Sequence, residues 1–276
     1  MFTLNCRGRL VLIDKPLVMG IINVTPDSFY KGSRKQAAHD IIEEAGIMIG
    51  EGADILDIGG QSTRPGSKRI TAAEEIERVV PAIEEIIQAY PHALISIDTY
   101  YAEVAAAAVQ AGATLINDIS SGNMDKDMIS TVASLRTPYI CMHMKGTPET
   151  MQQEANYEDV VKEILDFLIY KVYECHEAGI NDVIIDPGFG FGKTIQQNML
   201  ILKQLSIFKM INCPILVGLS RKATVYKTLG TTPEEGLNGT TVLNTLALEN
   251  GANILRVHDV KEAREAVTLW REYHNS

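Results

Sequence analysis

The sequence predicts a single (β/α)₈ barrel, a TIM barrel, occupying residues 1–276 as one domain. Three observations lead there. Eight short apolar runs recur about 34 residues apart between Val18 and Ile254, the length of a strand, a loop and a helix. Each run ends in a polar or glycine-rich cluster and gives way to a helical pattern, and alternating strand and helix means a parallel sheet covered on both faces. Eight such units close most naturally into a barrel, with a doubly wound open sheet as the alternative.

The elements follow in order. Thr3 to Ile13, with Asn5-Cys6-Arg7-Gly8 at its middle, reads as a β-hairpin capping the barrel bottom. The eight strands are Val18–Val24, Ile55–Gly59, Leu94–Asp98, Leu115–Asp118, Tyr139–Met142, Val183–Asp186, Ile215–Gly218 and Ile254–Val257. Between them, Ile41, Ala45 and Ile49 line one face of a helix that stops before Gly52. Ile76, Val79, Ile83 and Ile87 do the same after a Thr71-to-Glu74 capping box. No linker, low-complexity tract or second-domain boundary interrupts the series.

Composition narrows the function. Apolar residues make up 46% and charged residues 22%, the balance of a folded globular chain. A net charge of −10 and a pI near 5.1 argue against a nucleic-acid-coating surface and against an anionic-membrane binder. An anionic ligand must therefore be gripped by a local basic site. Cys6, Cys141, Cys175 and Cys213 form no CxxC pair, which indicates neither a zinc site nor a disulfide framework and suits a reducing cytoplasm. No secretory or membrane-spanning stretch is expected.

In a barrel of this kind the reacting groups sit at the C-terminal ends of the strands. Those positions hold Asn23, Asp57, Asp98, Asn117-Asp118, His143, Asp186, Ser220-Arg221-Lys222 and Arg256-Val257-His258. Strand side chains alternate, so only one of Asn117 and Asp118, and one of Arg256 and Val257, can face the interior. Asp98 and Asp186 suit a ring bearing several N–H donors, with the Asn117 amide filling what a carboxylate cannot and Arg256 able to stack its guanidinium on the ring. Lys222 reads either as a hydrogen-bonding cation or as a Schiff-base amine. Residues 186–194, Asp-Pro-Gly-Phe-Gly-Phe-Gly-Lys-Thr, fail both the Walker A and the dinucleotide templates, so their glycines are read as letting the backbone approach a flat ligand. Two long loops, 23–32 and 59–66, carry the hydroxyls, amides and arginine that grip a phosphate or close over one.

Asn-Val-Thr-Pro-Asp-Ser-Phe at 23–29, Asp-Ile-Gly-Gly-Gln-Ser-Thr-Arg-Pro-Gly at 57–66, Ser-Ile-Asp-Thr at 96–99, Ile-Asn-Asp at 116–118, Met-His-Met at 142–144, Asp-Pro-Gly-Phe-Gly-Phe-Gly-Lys at 186–193, Ser-Arg-Lys at 220–222 and Arg-Val-His-Asp at 256–259 together resemble the dihydropteroate synthase family. The resemblance runs the length of the chain. It implies a barrel, usually a homodimer and a sulfonamide target, that condenses 6-hydroxymethyl-7,8-dihydropterin pyrophosphate with 4-aminobenzoate in folate synthesis. Pyrophosphate leaves first, and the arylamine attacks the pterin-stabilised cation.

By motif, the resemblance implies that Asp98, Asn117, Asp186 and Lys222 bind the pterin ring, with Arg256 stacking on it. It makes Asn23 a ligand of Mg²⁺, and Thr63, Arg64 and His258 the pyrophosphate grip. Phe29 and Pro65 would wall the aminobenzoate pocket, with Ser220 at a helix N-terminus near the carboxylate. Asp27, Arg64, Lys222 and His258 are the residues with implied catalytic roles. Two departures stand out: Gln61 occupies a position where glutamate is common, and Tyr30-Lys31 follow Phe29 where Ser-Asp is common. Two competing functions share the pocket, a pterin-binding methyltransferase domain and a non-catalytic pterin-binding paralogue. The first is not expected to carry both loop motifs, and the second should have lost one of them or His258.

Overall fold

The computed structural model describes all residues except 25–33, 63–65, 68 and 152, with the backbone alone described at 34–38. Strands β1 (Phe2–Cys6) and β2 (Arg9–Ile13) form the antiparallel hairpin. Its two-residue turn, Arg7-Gly8, has both residues at positive φ, as a tight hairpin turn requires. The barrel strands are β3 (Leu17–Asn23), β4 (Ile55–Gly59), β5 (Ile95–Asp98), β6 (Leu115–Asp118), β7 (Tyr139–Met142), β8 (Val183–Asp186), β9 (Leu216–Val217) and β10 (Ile254–Val257). All are parallel, in the order β8-β7-β6-β5-β4-β3-β10-β9. A parallel bridge between Ile185 and Ile215 joins β8 to the start of β9, which closes the ring and removes the open-sheet alternative.

Helices α1 (Arg34–Gly50), α2 (Ala72–Ala89), α3 (Ala102–Ala111), α4 (Met128–Leu135), α5 (Val160–Glu177), α6 (Ile195–Lys203), α7 (Ala223–Leu229), α8 (Leu237–Glu249) and α9 (Val260–Asn275) follow the strands, two of them after β9. The capping box on α2 is present in both directions between Thr71 and Glu74. Pro81 lies within α2 on its exposed side, while Val79, Ala82, Ile83 and Ile86 pack inward. No described helix is long and apolar enough to cross a membrane.

The period of two in each strand divides the core. Outward side chains such as Val18, Leu56, Ile97, Ile116 and Leu255 join the helices in the large cluster. Inward side chains at the N-terminal ends, among them Met19, Ile55, Leu115, Ile140, Ile184 and Ile254, form a second cluster with Leu4, Cys6 and Ile13 of the hairpin. The hairpin is thus the apolar floor of the barrel. Two residues further along the same inward faces stand Asp57, Asn117, Asp186 and Arg256, and Asp98 takes the equivalent place at the end of β5.

Candidate active site

Arg256 is the hub of this upper layer. Its Nε donates to Asp57 Oδ2 at 2.6 Å and its Nη2 donates to Asp98 Oδ2 at 2.6 Å, across two neighbouring strands. Asn117 Nδ2 also donates to Asp57 Oδ2, at 3.0 Å, which fixes the amide orientation because its oxygen would be repelled there. Asp57 Oδ1 and Asp98 Oδ1 are buried and accept nothing from the protein. Two buried, orphaned carboxylate oxygens in one layer are costly unless a donor-bearing ligand meets them.

The burial of these groups sets their electrostatics. Burial pushes Asp98 up to about 7, aided by Asp57 and Asp118 and opposed by Arg256 and Lys222. Burial also raises Asp186, against the pull of Lys222 and the Gly188 N–H, which donates to Asp186 Oδ1 at 2.7 Å. Burial draws Lys222 down to about 8, with Arg256 acting in the same sense and Asp186 and Asp98 resisting. Burial works against the charge of Arg256 too, but Asp57 and Asp98 outweigh it and hold the guanidinium above its ordinary value. Lys222 Nζ donates to Phe189 O at 2.6 Å and lies 4.7 Å from the centre of the Phe191 ring. The 187–192 loop that presents these carbonyls has Gly188, Gly190 and Gly192 all at positive φ. A Cβ on Gly188 would stand 1.9 Å from His143 O, so only glycine fits there.

The outward partner at each ambiguous strand end has its own role. Asp118 accepts from Tyr139 Oη, Gly122 N and Ser120 N, and shapes the loop after β6. His143 is buried edge-on to Phe167 of α5, its ring held neutral by burial and by Lys193, and its backbone N–H donates to Asp186 O at 3.0 Å. Ser220 lies two residues before Lys222, the cap of α7. Its Oγ accepts from His258 N at 3.1 Å and is 3.0 Å from His258 Nδ1, so the hydroxyl orders the histidine on the neighbouring strand end. Asn23 ends β3, exposed, beside Gly59.

The interior set therefore brings together Asp98, Asn117, Asp186, Lys222 and Arg256 as their motifs imply, with His258, Ser220 and Asn23 on the same end of the barrel. Asp27, Phe29, Thr63, Arg64 and Pro65 lie outside the described residues. Asp57 stands among the strand ends in the sequence without a role of its own, and the structure makes it the shared acceptor of Arg256 and Asn117. Its signal is a lone carboxylate within the apolar run Ile55-Leu56-Asp57-Ile58.

The pattern of the pterin binding enzyme family matches residues 19–258. The dihydropteroate synthase of Escherichia coli K12 is 41% identical over 268 residues, covering 96% of this chain and 94% of its own. Among solved structures, Xanthomonas albilineans dihydropteroate synthase with 4-aminobenzoic acid superposes with a TM-score of 0.92 at 39% identity, over 99% of this chain and 98% of that one. The Yersinia pestis enzyme in a sulfonamide complex gives 0.92 at 38%, over 100% of both chains. With the barrel, the buried polar layer and these likenesses in agreement, the chain belongs to the pterin binding enzymes and, within them, to the dihydropteroate synthases.

Proposed function

We propose that the polar layer is a pterin pocket in which 6-hydroxymethyl-7,8-dihydropterin pyrophosphate and 4-aminobenzoate become 7,8-dihydropteroate and pyrophosphate. The observation that carries this is the pair of buried, orphaned acceptors, Asp57 Oδ1 and Asp98 Oδ1, in the polar layer whose charges also include Asp186 and Lys222. A pterin edge supplies N–H donors to carboxylates and ring acceptors to Lys222. One N–H of Asn117 is already given to Asp57, so its oxygen is left as a further acceptor. The edge of the Arg256 guanidinium is spent on Asp57 and Asp98, which leaves its face to lie on the ring.

The chemistry then needs one bond broken and one made. The methylene C–O bond breaks with its electrons going to pyrophosphate, and the resulting cation is conjugated with the pterin and surrounded by carboxylates. The neutral arylamine nitrogen attacks the methylene and loses a proton to solvent, so no strong general base is required. Arg64, Thr63 and His258 take the charge that develops on the leaving group, with Ser220 holding His258 in place. Asp27 takes a catalytic role, Phe29 and Pro65 serve the 4-aminobenzoate site, and the pterin and pyrophosphate bind before 4-aminobenzoate.

Asn23 fits a Mg²⁺ site of limited strength. Gly59 is its neighbour across the strand pair: a Cβ there would lie in ordinary contact with Asn23 Oδ1 at 3.9 Å and with Asp98 Oδ2 at 3.8 Å, so the two oxygens flank one point. A single neutral oxygen suits a hard cation held mainly by phosphate and water. When bound, Mg²⁺ neutralises charge on the departing pyrophosphate. The enzyme acts in the cytoplasm, where its four free, buried cysteines stay reduced, and as a homodimer through the exposed apolar side chains Leu229, Val242 and Leu246 on α7 and α8.

Pyrophosphate release, measured with and without 4-aminobenzoate, tests the assignment. Sustained release that depends on 4-aminobenzoate and stops in excess chelator is expected. Methyl transfer, or pterin binding with no release, would put one of the competing functions in its place. Full activity in chelator would remove the metal. Light scattering across concentrations reports the dimer, and a monomer throughout would overturn it.

A further inference from the structure

The glycine-rich loop ends in Gly-Lys-Thr, the residues that make it look like a phosphate loop, yet both side chains are engaged by the protein's own backbone. Thr194 caps α6, its Oγ1 accepting from Gln197 N. Lys193 is only 4% exposed, and its Nζ donates to three backbone carbonyls, His143 O at 3.1 Å, Gly188 O at 2.8 Å and Phe191 O at 2.9 Å. Three acceptors call for three N–H donors, which only the ammonium form possesses. Among the described residues no carboxylate pairs with Lys193; burial draws its ammonium well below the ordinary lysine value and Lys222 acts in the same sense, while Asp186 and the three converging carbonyls resist.

The position of those carbonyls gives the lysine its consequence. His143 follows β7, whereas Gly188 and Phe191 belong to the loop after β8, so the ammonium pins that loop to the neighbouring strand end. The same loop holds the two groups that meet the ring: Gly188 N–H binds Asp186, and Phe189 O binds Lys222. A loop with its glycines at positive φ has little local preference for one path, and carbonyls converging on a cation supply it.

We propose that Lys193 is a positioning residue for pterin recognition, setting the 187–192 loop so that Asp186 and Lys222 are aimed at the ring. This rests on the pterin pocket proposed above. The test compares Lys193→Met, of similar length without donors, and Lys193→Gln, which keeps an amide donor group, with Asp186→Asn as the control for the pocket. The probes are 6-hydroxymethylpterin by calorimetry and both substrates by steady-state kinetics. Lys193→Met is expected to lose at least about tenfold in pterin affinity and to raise KM for the dihydropterin substrate in parallel. KM for the arylamine substrate and the far-UV circular dichroism should stay near wild type, and Lys193→Gln should recover part of the loss. Pterin affinity within about twofold of wild type in Lys193→Met, while Asp186→Asn has lost it, would overturn the inference and leave the pocket standing. Unchanged pterin binding in Asp186→Asn would instead sink the pocket. Loss of the fold in both lysine variants, or an equal fall in every kinetic parameter, would make Lys193 purely structural and overturn its positioning role.

Discussion

The two ends of the barrel are made by the same strands and obey opposite rules. On β4, β6, β8 and β10 the inward residues Ile55, Leu115, Ile184 and Ile254 are sealed against the hairpin. Two positions later the same faces carry Asp57, Asn117, Asp186 and Arg256. The step is roughly 7 Å, yet it separates a floor that contributes to stability through apolar burial from a pocket that opposes it through buried charge. Stability and ligand recognition are thus divided along each strand, and substitutions at the two ends should have different signatures.

The largest effect is expected where the pocket is most tightly coupled. Arg256→Met removes the partner of both Asp57 and Asp98 and leaves two carboxylates buried side by side. Breaking such a pair costs about 3–5 kcal/mol, so urea unfolding should show that loss together with loss of pterin binding. A variant of wild-type stability would mean that the carboxylates are hydrated and that the upper layer is not a buried network.

Leu4→Ala asks the converse at the floor. Leu4 is buried in the hairpin cluster, and its truncation should cost about 2–5 kcal/mol in unfolding free energy through lost burial and a residual cavity. KM should stay unchanged for both substrates in the folded fraction. A change in KM for the dihydropterin substrate would break the division between the two ends.

Asp186→Asn isolates recognition from stability. The amide presents a donor to a donor edge, and the mismatch should cost roughly 2–4 kcal/mol of pterin affinity with little change in unfolding. Calorimetry showing wild-type affinity in a folded variant would take Asp186 out of the site.

The contrast between the ends also explains what the sequence could reveal. All eight strand positions are legible to within a residue at each end because each is a short apolar run closed by a polar or glycine-rich cluster. β9 is the shortest: Ile215 and Gly218 fall just outside it, and Ile215 makes only the closing bridge to Ile185. Asp98, Asn117, Asp186, Lys222 and Arg256 are readable because they end strands or follow them. Asp57 and Lys193 are visible as residues but not as roles, because which carboxylate shares Arg256, and whether a lysine faces the ligand or its own loop, depends on contacts between segments distant in sequence. Gln61 likewise gains meaning only from its neighbours. Its Nε2 donates to Glu75 Oε2 at 3.3 Å and its Oε1 accepts from Tyr100 Oη at 2.8 Å.

That contact leads to the smallest predicted effect, and the one that bears on pH. Glu75 of α2 is fully buried beneath Gly60, near the upper end of the barrel, and burial followed by Asp98 pushes it up to about 8. Its folded value is therefore above its unfolded one, and the sign follows. The stability it contributes as a neutral carboxyl is complete below the ordinary glutamate range and is lost progressively as pH rises towards 8. Among the described residues the floor has no such group, since its Cys6 thiol is pushed up to about 12 by burial. Glu75→Gln keeps the acceptor for Gln61 and removes the proton. Other groups are common to the two proteins, so the difference between their unfolding free energies isolates Glu75. Wild type should lose ground to Glu75→Gln by up to about 1.4 kcal/mol per pH unit between roughly pH 5 and 8, and by nothing further above that. Parallel stability curves would show that Glu75 ionises freely where it lies, and that the upper end does not exact its pH dependence through this helix.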